Sequence, residues 1–173
     1  AVDLHPDKLR LLAAEAGRLG VTIMETHPGN ATGTPEAFRG AFDRVLLDAP
    51  CSGMGTIRKS PQTPLMWNPH TIKKLAGIQR QLITTAFEAL EEGGTMVYST
   101  CTLEPHENEA VVDFLLKKYE NATLESFTLD IKRGKAVEAF EGETYDPEIK
   151  KCLCVWPQDN DTEGFFVAKI KKS

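Results

Sequence analysis

At 173 residues, with 41% hydrophobic and 26% charged residues, the chain is the size and composition of one soluble globular domain, and it has no run of about 18 apolar residues that would mark a membrane helix. Four cysteines are too few for a disulfide scaffold, so thiols kept reduced in the cytosol are the expectation. A net charge of −5 argues against a generally basic, phosphate-coating protein.

Any contact with nucleic acid therefore needs cations focused locally, as at Arg58, Lys59, Lys73, Lys74 and Arg80, or another part of the protein; the same residues also suit a merely solvated face. Residues 1–10 read as a strand end and a helix start rather than a signal peptide. Leu9, Leu12, Ala13, Ala16 and Leu19 recur at helical spacing and Gly20 closes the helix, after which residues 21–25 alternate like a strand. A loop of Gly, Thr and Pro and a short helical stretch at 35–40 lead into residues 42–48, a strand whose Val45-Leu46-Leu47 centre predicts burial on both faces and which ends at Asp48.

Residues 51–69 hold glycines, prolines and two basic residues without periodicity, the pattern of a long loop. Across 69–90, Ile72, Leu75, Ala76, Gln79, Leu82, Ile83, Ala86 and Leu90 fall on one helical stripe that Gly93-Gly94 terminates. Residues 95–100 read as a buried strand, and 107–119 as an amphipathic helix with Ala110, Val111, Phe114 and Leu115 inward. Residues 124–129, 152–156 and 165–170 are strand-like with no helices between them, and period two puts the Cys152 and Cys154 sulfurs on one buried face. Alternating strands and helices followed by this run predict one α/β domain over residues 1–173: a mostly parallel open sheet with an antiparallel C-terminal edge.

Ligands of such sheets sit at the carboxyl ends of the strands. Here those ends carry Asp3, Asn30, the stretch from Asp48 to Cys51, and the stretch from Thr100 to Thr102. Asp3 alone is ambiguous, because a strand-end acid can receive ribose hydroxyls or cap the helix that follows. More specific are Asp48-Ala49-Pro50-Cys51-Ser52-Gly53 and, after the next strand, Thr100-Cys101-Thr102 followed by Pro105-His106-Glu107-Asn108-Glu109. In order and separation this pair of segments resembles the RNA cytosine-5 methyltransferases of the Fmu/Sun and Nol/Nop type, with further likeness at Gly55, Arg58, Pro61, the Gln79 helix, Trp156-Pro157 and Gly164-Phe165-Phe166.

The resemblance implies a Rossmann-like sheet that uses S-adenosylmethionine to methylate carbon 5 of a cytosine in ribosomal or transfer RNA. Carbon 5 is a poor nucleophile until a thiolate adds to carbon 6, which is why cysteine suits the chemistry. Carried over, Cys101 is the nucleophile, Cys51 assists breakdown of the adduct, and Asp48 faces the cytosine edge. Asp3 would bind the ribose and Asn30 the adenine, where the family usually has aspartate; Asp48 and Pro50 would border the cofactor, and Arg58 and Lys59 the RNA. No metal and a monomeric complete protein are expected. The family's strand and glycine-rich turn that precede the Asp3 position are not in this sequence, so a partial catalytic domain is expected. The rival readings are a non-catalytic RNA-binding or assembly subunit, which needs neither cysteine, and a dehydrogenase or an amine methyltransferase, the latter normally carrying Asp/Asn-Pro-Pro-aromatic where this chain has Asp48-Ala49-Pro50-Cys51.

Overall fold

The computed structural model describes residues 1–33 and 35–173; Thr34, in the predicted Gly/Thr/Pro loop, lies outside the described residues. Strand β1 (Val2–Asp3) leads into helix α1 (Pro6–Arg18), and the chain returns to pair β2 (His27–Pro28) parallel to β1. Pro at the start of α1 suits a first turn whose N–H groups lack helical partners. Beyond Gly20, at φ +73°, Val21 N–H reaches back 2.8 Å to the Ala16 carbonyl, so the backbone here caps the helix. The strand expected at 21–25 is thus absent, and β1 pairing begins only where His27 N–H meets the Ala1 carbonyl at 2.8 Å.

A second sheet holds five of the remaining strands, and a separate hairpin holds the other two. β3 (Phe42–Asp48), helix α2 (Pro69–Ala89) and β4 (Leu90–Thr100) form a strand-helix-strand unit with β3 and β4 parallel. Asn68 caps α2, its side chain accepting the His70 N–H at 2.9 Å. Gly93-Gly94 does not end the helix as expected; the pair lies inside β4, where the register with β3 shifts, and Gly93 takes φ +81°. Helix α3 (Glu109–Lys118) is followed by β5 (Ala122–Leu124), a hairpin of β6 (Ala139–Phe140) and β7 (Glu143–Thr144), β8 (Leu153–Val155), the short α4 (Pro157–Asn160), and β9 (Phe165–Lys172).

The strand order is β3-β4-β9-β5, and β8 also pairs with β9. The expected antiparallel C-terminal addition is present, with β9 antiparallel to β4, β5 and β8. The strand predicted over 124–129 stops at Leu124 for a simple reason. Continuing its register would bring residue 127 opposite Val167, and that place on β9 is taken by Leu153 of β8.

The core lies between the β4-β9 face, with Met96, Tyr98, Phe166, Ala168 and Ile170, and the inner faces of α2 and α3, with Ile83, Phe87, Val111 and Leu115. Cys152 and Cys154 are buried beside it, as their shared face predicts, and burial pushes both thiols well up. Phe114 departs from expectation, being only half-buried beneath the Arg80 guanidinium and the Lys118 ammonium. β3 is not buried on both faces either: Val45 and Leu47 pack on the core, but Leu46 is 73% exposed. Along α1 only Leu9 and Ala16 are buried, while Leu12 and Leu19 stay open.

Among the described residues the β1-β2 sheet and the sheet of β3 share no strand pair, and a cleft of about 1070 Å³ lies between them, lined by Val2, Pro28 and Asn30 on one side and by Val45, Leu46 and Leu47 on the other. If β4 and β9 are the core, Phe166→Ala, which removes a ring packed edge-to-face on Tyr98, should cost about 3–5 kcal/mol. Leu46→Ala should stay within about 0.5 kcal/mol. Urea unfolding midpoints compare the two, and equal losses would contradict this placement of the core.

Candidate active site

Parallel pairing of β3 with β4 sets Asp48 opposite Ser99, so the segments leaving both strands emerge side by side. Ala49 N–H donates to the Ser99 carbonyl at 2.9 Å, and Ser99 Oγ donates to Asp48 Oδ1 at 3.1 Å. The consequence is that Cys51 and Cys101, fifty residues apart in sequence, bring their Sγ atoms to 3.2 Å, both half-buried. With Cys51 as donor in that contact, the Cys101 thiol is lowered to about 7 by the hydrogen bond from Cys51; burial opposes, a backbone hydrogen bond assists, and the charges of Asp48 and Glu163 oppose. Cys51 is driven in the other direction, well above an ordinary thiol, by the same hydrogen bond, by burial and by the neighbouring Cys101 charge. One sulfur of the pair is thus ionised near neutral pH while the other keeps its proton.

The Cys101 backbone is clamped from two sides. Gly55 N–H donates to the Cys101 carbonyl at 2.9 Å, and Gly164 N–H to the Gly55 carbonyl at 2.8 Å. A Cβ at Gly55 would stand 2.2 Å from the Gly164 oxygen and 2.7 Å from the Cys101 oxygen, which is why this position carries no side chain. Asn108 bridges the residues flanking Cys101, accepting from Thr100 Oγ1 at 2.6 Å and donating through Nδ2 to the Thr102 carbonyl at 3.0 Å.

The Cys51 loop has its own supports. Gln79 Nε2 donates to the Pro50 carbonyl at 2.7 Å and to Glu107 Oε2 at 2.9 Å, and Ser52 N–H donates to the same carboxylate oxygen at 2.9 Å. Ser52 Oγ and Thr102 Oγ1, at 2.9 Å, tie the two loops together. The sequence pattern placed Gln79 on an apolar stripe and Glu107 in a helix start. Besides the place of both residues in segments that carry the resemblance, a polar residue on such a stripe signals that it serves something besides packing.

The other expected residues distribute unevenly. Asp3 ends β1 with Oδ1 accepting the His5 N–H at 2.7 Å, and Asn30, exposed on the cleft, uses its carbonyl oxygen to accept the Thr32 N–H at 3.0 Å. Both oxygens retain a lone pair for a further donor. Arg58 is engaged within the protein, bonding Asp161 at 2.5 Å beside a crevice of about 350 Å³ that Pro157 and Gln158 also line. Lys59, Lys73 and Lys74 are exposed. Among the described residues no cluster of His, Cys, Asp and Glu could hold a metal ion.

The resemblance read from the motifs extends over nearly the whole of this chain. A tRNA (cytosine(49)-C(5))-methyltransferase of Pyrococcus abyssi (strain GE5 / Orsay) is 42% identical over 172 residues, covering 99% of this chain and 55% of that protein. The ribosomal RNA small subunit methyltransferase F of Klebsiella pneumoniae (strain 342) is 40% identical over 175 residues, 100% of this chain and 35% of that protein. The chain thus spans about half or less of the length of these relatives. Among solved structures, a methyltransferase homolog protein from Pyrococcus horikoshii superposes with a TM-score of 0.84 at 34% identity, over 100% of this chain and 52% of that one. NSun6 from the same organism, solved with SFG, gives 0.82 at 30%, over 99% of this chain and 40% of that one. Residues 1–171 match the family model described as 16S rRNA methyltransferase RsmB/F, and the chain belongs to that family.

Proposed function

We propose that the protein containing this chain methylates carbon 5 of a cytosine in ribosomal or transfer RNA through a covalent adduct on Cys101. The observation that carries this reading is the pair of half-buried thiols 3.2 Å apart at adjacent strand ends, a contact that lowers the Cys101 thiol and raises the Cys51 thiol. A non-catalytic RNA-binding subunit needs no such pair. The Cys101 thiolate adds to carbon 6 as N3 of the ring takes up a proton, and the Asp48 carboxylate, facing that edge, stabilises the protonated adduct. S-adenosylmethionine, when bound, supplies the electrophilic methyl group.

Asp3 and Asn30, at the ends of β1 and β2 and with acceptor capacity left, fit the ribose and adenine of that cofactor, and Asp48 and Pro50 would border it. Cys51 acts next. The first cause of its raised pKa is its bond to the Cys101 sulfur. Once that sulfur is a thioether the cause is removed, so Cys51 can lose its proton and then accept the one on carbon 5, after which the carbon–sulfur bond breaks. Arg58, ion-paired with Asp161 but half exposed, and Lys59 would meet RNA phosphate. Such chemistry requires both thiols reduced and suits the cytosol.

In the complete protein, Cys101→Ala should abolish both methylation and the RNA adduct, whereas Cys51→Ala should form the adduct and release it poorly; denaturing gels with substrate RNA separate the two outcomes. If Cys101→Ala kept the trapped species and Cys51→Ala lost it, the roles would be reversed. Adduct formation should rise with pH through about 7 and level off above it, because only the ionised Cys101 adds. A flat rate between pH 6 and 8 (roughly one unit on either side) would exclude a titrating Cys101 nucleophile.

Asp48→Asn preserves size and removes the stabilising charge. Turnover should fall by about two to three orders of magnitude while cofactor affinity changes little. Near-normal turnover measured by methyl incorporation would rule out this role for Asp48.

A further inference from the structure

Two of the largest fully buried side chains in the protein are polar, Gln79 and Glu107, each with 0% exposure. They are an odd choice for stability. Gln79 Oε1 and Glu107 Oε1 are buried without a hydrogen-bond partner among the described residues, and an apolar pair of similar volume would carry no such penalty. What the pair does make is directed at one place. Gln79 Nε2 holds the carbonyl that precedes Cys51, and Glu107 Oε2 holds the N–H that follows it.

Glu107 is itself fixed, because the Tyr98 hydroxyl donates to its carbonyl at 2.6 Å and Gln79 donates to its side chain at 2.9 Å. Its neighbour Asn108 bridges the two residues that flank Cys101. Two consecutive residues at the entry to α3 thus grip the two cysteine loops separately, and the Sγ–Sγ contact is set by a segment that contains neither sulfur. We propose that Gln79 and Glu107 are positioning residues that hold the Cys51 loop against Cys101, so that the sulfur-to-sulfur hydrogen bond exists before RNA arrives. Neither need touch the substrate. This rests on the cysteine-pair reading above.

The pair also accounts for the direction in which the thiols part. The Cys101 thiol is lowered first of all by the hydrogen bond from Cys51, so loosening the Cys51 loop should raise it even though no atom of Cys101 changes.

The test is the pH dependence of Cys101 alkylation by iodoacetamide in the complete protein without RNA, with the modified residue identified by mass spectrometry. In the parent protein the midpoint should lie near 7, and in Cys51→Ala it should move toward an ordinary thiol of about 8.5, slowing alkylation at neutral pH about tenfold. Gln79→Met, similar in volume but without a donor, should reproduce the Cys51→Ala midpoint. In the Cys51→Ala background it should add nothing, since both changes remove one interaction. Should the methionine variant not fold, Gln79→Ala, compatible with the helix and free of added bulk, gives the same readout. Glu107→Gln retains an amide oxygen able to accept both N–H groups and should keep the parental midpoint.

If Gln79→Met or Gln79→Ala lowers thermal stability but leaves the midpoint of Cys101 near 7, the pair is merely structural and the proposal fails. A parental midpoint in Cys51→Ala would instead overturn the cysteine-pair reading on which it rests.

Discussion

A buried amide and a buried carboxylate must find hydrogen-bond partners or destabilise the fold by about 1–3 kcal/mol for each unsatisfied group. In this chain Gln79 on α2 and Glu107 before α3 meet that requirement through one polar atom each, leaving Gln79 Oε1 and Glu107 Oε1 without a partner among the described residues, and outside the pair their partners are backbone groups of the loop that follows β3. The loop is therefore fastened to the helical layer from beneath. Its upper surface, where Asp48, Pro50 and Cys51 lie, is left to face solvent and whatever binds there. Parallel pairing of β3 with β4 then supplies the second loop at the correct height, and the glycine contact between residues 55 and 164 fixes its backbone.

This arrangement explains why two identical side chains can take opposite roles. Cys51 and Cys101 share one hydrogen bond, and the asymmetry comes from its direction and from burial: Cys51 donates it and is the more deeply enclosed, whereas backbone hydrogen bonds favour the anion at both sulfurs. Asp48 and Glu163 work against that anion. A nucleophile poised near neutrality is therefore a balance, in which one donated S–H outweighs two carboxylates and partial burial.

Much of this was legible in the amino-acid sequence. Residues 42–48 and the long helix after Asn68 follow from local periodicity, and the two cysteine segments stand out because adjacent residues carry their chemistry. What was not legible depends on partners distant in the chain. The ion pair between Arg58 and Asp161, 103 residues apart, is one such case. The strand expected at 124–129 is cut short by β8, which no local pattern announces. Leu46 is hydrophobic enough for a buried strand, yet whether an element covers it is decided by topology alone. Gln79 was hidden by its regular spacing, since helical periodicity counts positions on a face without asking what a polar atom there would bind.

The separation of the two sheets has a consequence for how the protein opens. β1, α1 and β2 form a unit with short strands and only Leu9 and Ala16 of α1 buried, whereas β4 and β9 run through the core. Cooperative units of such different packing open at different free energies. Amide protons of α1 should exchange with solvent through local opening, long before those of Met96 or Ala168, which wait for global unfolding. A single unfolding temperature would then describe the sheet that carries the cysteines and remain silent about the unit that carries Asp3 and Asn30.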